Sequence, residues 1–198
     1  MPEILDYGGY LLDFELNEEF LHGKRVLDLG AGARLFAYDA IDHSLCQTVS
    51  LDENSAGWQS LNLWAKKQLA KGKNPTVETY LAMGQNSVEA KAQVLPFPAE
   101  SFDIVFSRSV VPQMLPTAED SANALAEIIR VLAVDGSAFF YPIMMEHWTP
   151  EKKEETGCLI ACLEEDQSLE LELVPIIFRE TGNPGHMLRL TKLRRTVT

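Results

Sequence analysis

The stretch Lys24-Arg25-Val26-Leu27-Asp28-Leu29-Gly30-Ala31-Gly32-Ala33-Arg34-Leu35-Phe36-Ala37 constrains this chain more than any other. Val26 to Leu29 is a short apolar run of the kind carried by a strand buried on both faces. It stops at Gly30 and Gly32, and an alanine-rich helical stretch follows. Paired glycines between a strand and a helix bring the backbone close to a ligand and aim the helix N-terminus at it. Taken alone, the stretch reads equally as a binding loop or as a turn whose glycines are there for steric reasons.

The rest of the chain alternates strand and helix patterns. Residues 33–44 read as a helix and 47–51 as a second strand ending in Asp52-Glu53. Residues 55–70 read as a helix with a broad apolar side formed by Trp58, Leu61, Leu63, Trp64 and Leu69. Residues 76–81 alternate enough for a third strand, and 83–94 have no readable pattern. Phe102 to Ser107 is a fourth, buried strand. Thr117 to Asp120 resembles a capping box for a helix reaching Val131. Asp135-Gly136 reads as a turn before a fifth strand at 137–143. Thr149-Pro150 opens a helix to about Glu165, and strands at 169–173 and 187–193 flank the turn Gly182 to Gly185, implying a hairpin. The expected fold is α/β and doubly wound, a Rossmann-like, mostly parallel sheet with a C-terminal antiparallel hairpin. A single domain over 1–198 is expected, with an N-terminal arm (1–22), a cofactor-binding core (23–143) and a C-terminal helix and hairpin (144–198).

Three stretches together are far more specific than any one. Val26 to Gly32 resembles the cofactor loop of the class I S-adenosylmethionine-dependent methyltransferases. Leu95-Pro96-Phe97-Pro98-Ala99-Glu100-Ser101-Phe102-Asp103-Ile104-Val105-Phe106-Ser107 and Glu127 to Gly136 resemble later segments of the same superfamily, in the same order. The family's matching segment ends in Pro-Gly-Gly, where this chain has Val134-Asp135-Gly136.

Asp52 ends the second strand, 20 residues after Gly32. An acidic side chain there accepts from both hydroxyls of a ribose, which indicates an adenosine nucleoside without choosing the cofactor. The other reading makes Asp52 an N-cap for the helix at Ser55. A nicotinamide dinucleotide wants a third glycine for its pyrophosphate, and Ala33, Arg34 and Leu35 supply none. The resemblance implies S-adenosylmethionine, with Asp28 near the methionine amino group and Gly30, Ala31, Gly32, Asp52, Glu53, Ala92, Gln93 and Ser107 around the cofactor. The acceptor side is expected after the fourth strand, with Arg108 and Gln113 as substrate-binding residues, Ser109 and Val110 beside them, and His147 reaching in from after the fifth strand; methyl transfer needs little acid or base help, and no catalytic residue is assigned. His147 reads also as a loop anchor, and Arg108 as a surface or ion-paired residue.

Two residues depart from the family pattern. Arg34 stands where a third small residue is usual. Lys91 stands where an acidic residue usually holds the adenine amino group, a role left to Gln93 or the Ala92 backbone. Arg34 is expected to point toward the methionine carboxylate or toward solvent, without filling the adenosine pocket. If it is a plug, the chain is a methyltransferase-like binding or scaffold protein without activity.

Composition narrows the partners. With a net charge of −12, the chain is repelled by phosphate backbones, so no nucleic acid is expected; Lys192, Arg194 and Arg195 read as a solvated strand end. No apolar run approaches membrane-spanning length, and the acidic start, with Glu3 and Asp6, does not read as a secretory leader. Three cysteines form no disulfide framework and suit a reducing, cytoplasmic setting. Cys158 and Cys162, one helical turn apart, are expected to pack in the interior, with no metal. The scattered histidines give no hydrolase triad. The acceptor is expected to be a small molecule, and homo-oligomerisation is left open.

Overall fold

The structure, a computed structural model, describes residues 7–178 and 182–194. The chain divides into two compact units, 1–91 and 92–198. In the first, α1 (Tyr7–Asp13) and α2 (Glu18–Leu21) lead into β1 (Arg25–Leu29), α3 (Leu35–Asp42) and β2 (Gln47–Asp52). A short 3-10 turn (Ser55–Gly57), α4 (Leu61–Leu69), α5 (Val77–Gln85) and β3 (Ser87–Glu89) complete it. The strands are parallel in the order β3-β2-β1, with Asp28 beside Ser50 and Ser50 beside Ser87. β1 is buried from Val26 to Leu29, as its unbroken apolar run requires.

The arm packs as part of this unit. Tyr10 stacks on Phe36 of α3 at 4.9 Å and meets Phe14 edge-on at 5.6 Å. The Tyr7 amide donates to Asp39.

Two sequence expectations fail here. Residues 76–81 do not form a strand: Thr76 caps α5, its hydroxyl accepting from the Thr79 amide at 3.1 Å. The third strand is β3, three residues long and too short to show a period. The apolar side expected on 55–70 is buried only at its tryptophans, Trp58 and Trp64. Trp64 and Gln68, one turn apart, are the buried positions of α4, while Leu61, Leu63 and Leu69 are exposed.

In the second unit β4 (Phe102–Arg108), α6 (Ala118–Val131), β5 (Leu132–Ile143), α7 (Pro150–Glu164), β6 (Leu169–Ile177) and β7 (Pro184–Lys192) follow. β4 and β5 pair in parallel, and β5-β7-β6 are antiparallel. Asp135-Gly136 does not precede a strand but lies inside β5 as a bulge, shifting the register between Phe102 and Ile104. A Cβ on Gly136 would sit 2.9 Å from the carbonyl oxygens of Ala133 and Asp103, so glycine alone fits. Thr117 caps α6 as expected, accepting from the Asp120 amide at 3.0 Å. Lys192 is not a solvated strand end: its Nζ donates to the Ile129 and Leu132 carbonyls at 3.1 and 2.8 Å, closing the end of α6. Arg194 is exposed, and Arg195 lies outside the described residues. Cys158 and Cys162 are exposed on α7 rather than packed. Among the described residues no helix is long and apolar enough to cross a membrane, and no cluster of metal-binding side chains forms.

Candidate functional site

The glycine loop of the first unit is held from both sides. The Gly30 and Ala31 amides donate to the Leu51 carbonyl at 2.7 and 3.1 Å. The Gly32 amide donates to Asp52 Oδ2 at 3.0 Å, and the Gly32 carbonyl accepts from Trp58 Nε1 at 2.8 Å. Ala33 O accepts from Gln68 Nε2 at 2.8 Å. Gly30 and Gly32 have φ values of 77° and 51°, in the left-handed region that glycine occupies without steric cost.

Asp52 therefore does two things at once. Its Oδ1 accepts from the Asn54 amide at 2.9 Å while Oδ2 takes Gly32. Each oxygen keeps a second lone pair, and the residue is partly exposed at the strand end. It caps no helix: Asn54 and Ser60 are the N-caps of the 3-10 turn and α4. Glu53 beside it is exposed. Asp28 is fully buried, its Oδ1 accepting from the Tyr10 hydroxyl at 2.8 Å.

Arg34 does not point to solvent: it is 1% exposed. Its Nη1 donates to Ser87 Oγ at 2.7 Å, and its Cζ lies 4.7 Å from the Trp58 ring centroid. Nε and Nη2 are buried with no partner. Burial pushes its pKa down to about 10, so the side chain is a buried cation at neutral pH. It holds φ 59° at the N-cap of α3, where no side-chain bond caps the helix. The sequence reading saw an anomalous residue there but missed Ser87 and Trp58, because contacts across 53 and 24 positions leave no local pattern.

Lys91, the last residue of the first unit, is exposed. In the second unit the predicted residues separate, and Ala92 is buried. Gln93 Nε2 donates to Asp120 at 3.0 Å. Ser107, fully buried, accepts from the Val111 amide at 3.0 Å. Arg108 is 8% exposed, its Cζ 5.5 Å from the Tyr141 ring centroid. Gln113 and His147 do come together, in one open cavity of about 500 Å³ bounded by 113–116 and 147–155. Elsewhere in this unit, Arg130 bridges Glu127 and the Leu95 and Phe97 carbonyls at 2.7 to 2.9 Å, while the Leu95 amide donates to Glu127. This network fixes Leu95 to Phe97 on α6.

The model of a methyltransferase domain matches residues 27–140, and the chain belongs to that family, whose cofactor is S-adenosylmethionine. No curated protein matches. Among solved structures, a SAM-dependent methyltransferase from Methanosarcina mazei is 16% identical, with 96% of this chain and 100% of that one covered at a TM-score of 0.60. A phosphoethanolamine N-methyltransferase from Haemonchus contortus, solved with phosphomonomethylethanolamine and S-adenosylhomocysteine, is 15% identical, with 95% and 52% covered at 0.58. The cyclase SpnF is 14% identical, with 96% and 80% covered at 0.58. At such identities the likeness establishes the Rossmann-like α/β fold.

Proposed function

We propose that the chain transfers a methyl group from S-adenosylmethionine to a small-molecule acceptor. The pairing of Asp52 with the Gly32 amide carries this reading. It sets a partly exposed carboxylate, with a lone pair to offer on each oxygen, against a loop whose Gly30, Ala31 and Gly32 amides already have acceptors in the chain. Such a loop suits a nucleoside whose ribose hydroxyls need acceptors. None of those three amides is left to cradle a pyrophosphate.

When bound, the cofactor supplies an electrophilic methyl group on a sulfonium. Gly30, Ala31, Gly32 and Asp52 are the residues to hold its adenosine and methionine parts, and Asp28 steadies Tyr10 behind the loop. Glu53, Ala92, Gln93, Ser107 and Arg108 enter on resemblance alone. The protein's task is chiefly to align the acceptor, and alignment is worth up to ~7–11 kcal/mol of barrier. The net charge of −12 favours an acceptor other than nucleic acid, and salt-sensitive submicromolar duplex binding in a gel shift would count against that. Cytoplasmic placement rests on the cysteine content alone.

Calorimetry with S-adenosylhomocysteine and with a nicotinamide dinucleotide tests the reading. Binding of the first and not the second is expected, and tighter binding of the dinucleotide would sink it. A second reading, a binding protein without activity, draws on Arg34, which fills the third-glycine position with a buried cation. Affinity for S-adenosylhomocysteine that appears only in Arg34→Gly would favour that reading.

A further inference from the structure

Ligands of open α/β folds gather beyond the carboxyl ends of parallel strands. The second unit's cavity is built there, from the chain after β4 (Gln113, Leu115 and Pro116) and after β5 (His147 to Thr149 and the first turns of α7). At about 500 Å³ it lies within the ~300–1,000 Å³ of small-ligand sites.

Its chemistry is lopsided. Gln113 Oε1 is buried without a partner, an acceptor awaiting a donor. Glu151 and Glu155 add two carboxylates from α7, one turn apart on the same helix face. The single ammonium, Lys152, is already engaged: its Nζ donates to the Leu115 carbonyl at 3.5 Å and lies 3.8 Å from Glu155. The positive end of α7 would favour an anion. However, Thr149 Oγ1 already takes the Lys152 amide at 3.3 Å, and Glu151 sits in the first turn, so the helix end is met by the chain's own groups. Two carboxylates against one engaged ammonium repel an anion. The Trp148 ring adds a broad face for an apolar group, beside the apolar surface of Leu115 and Pro116.

We propose that this cavity binds a small molecule carrying a protonated amine beside an apolar group, with Gln113, Glu151 and Glu155 as its polar contacts and Trp148 against its apolar part. The inference rests on the methyltransferase reading only in taking this ligand to be the acceptor. Its test is therefore a binding measurement that needs no turnover.

Phenethylamine, 3-phenylpropionate and phenethyl alcohol are titrated into the full chain with and without S-adenosylhomocysteine. The amine is expected to bind at least tenfold more tightly than the carboxylate, with the alcohol between. Glu151→Gln and Glu155→Gln should each weaken the amine by about three- to tenfold and narrow its lead over the alcohol. Trp148→Ala should weaken amine and alcohol together. Equal or tighter binding of the carboxylate overturns the proposal, as does amine affinity unchanged in the double glutamine variant, or no amine binding by chain that binds S-adenosylhomocysteine. That last outcome leaves the cofactor reading standing, whereas amine binding without S-adenosylhomocysteine binding removes the cofactor reading and keeps the cavity's.

Discussion

The glycine loop and the 500 Å³ cavity are opposite solutions to placing polar groups near a ligand. In the loop nearly everything polar has a partner inside the chain: Leu51 takes two amides, Asp52 takes one, and Trp58 and Gln68 donate to the carbonyls. The cavity leaves Gln113 Oε1 without a partner and Glu151 at the surface. A loop tied this way has a fixed shape and recognises by fit. A cavity with unmet acceptors recognises by what its ligand supplies. Arg34 is the exception within the loop region, a buried cation with two N–H groups unmet.

Breaking the loop's packing should cost most. Arg34→Ala removes a large, fully buried side chain and is expected to lower unfolding free energy by about 3 kcal/mol in urea titrations. Arg34→Met, similar in volume and uncharged, should fall within about 1 kcal/mol of the parent or above it, because an apolar replacement avoids burying a charge. An equal loss in both variants would show that the cation itself stabilises the region, through Ser87 and Trp58.

Asp52→Ala comes next. It removes an acceptor for Gly32 and Asn54 together with the proposed ribose contact, and S-adenosylhomocysteine affinity should fall ten- to a hundredfold, or ~1.5–3 kcal/mol. Unchanged affinity in a folded variant would take Asp52 out of the site.

A smaller effect depends on pH. The hydrogen bond from Arg130 holds the Glu127 carboxyl below its ordinary value of 4.5. The unfolded chain therefore takes up a proton first as pH falls. The pair's contribution is present above 4.5 and disappears as pH drops through the lower folded value. Glu127→Gln should cost about 1 kcal/mol at neutral pH, and the difference from the parent should shrink in acid. A constant gap from neutral to acid pH would mean that the Leu95–Phe97 staple does not depend on that charge.

The smallest change is expected from Gln113→Leu, within about 0.5 kcal/mol of the parent stability, because its Oε1 makes no bond to lose. A large loss would show that the cavity is structural.

The long elements and the glycine loop were legible in the sequence because each writes itself locally. An apolar run gave β1, Thr117 and Thr149 marked helix starts, and alternating Leu and Glu gave β6. What failed was decided by distant partners. Thr76 to Leu81 carries β-branched residues, yet Thr76 caps a helix whose Tyr80 packs on Trp64 at 5.1 Å. The leucines of α4 match a helical stripe, but Trp64 and Gln68 took the interior. At the candidate site, the place of Asp52 at the end of β2 was readable from spacing. Its bond to Gly32 and the Trp58 clamp were not, since no residue count reveals which way a loop folds back. Gln113 and His147 fell together in one cavity, whereas Arg108 lines none of it.

The order β5-β7-β6 has a consequence in time. The ribosome delivers β6 before β7, yet among the described residues β6 pairs only with β7, and β5 gains its second neighbour in that unit only when β7 is made. The α6 carbonyls closed by Lys192 wait equally long. A nascent chain halted at Gly182 therefore carries an unpaired β5 edge and a leucine-bearing β6 with nothing beside it, the kind of exposed strand that aggregates or recruits a chaperone. Residues 184–192 thus complete the second unit late and all at once, and protease should cut β6 in the halted chain but spare it in the finished one.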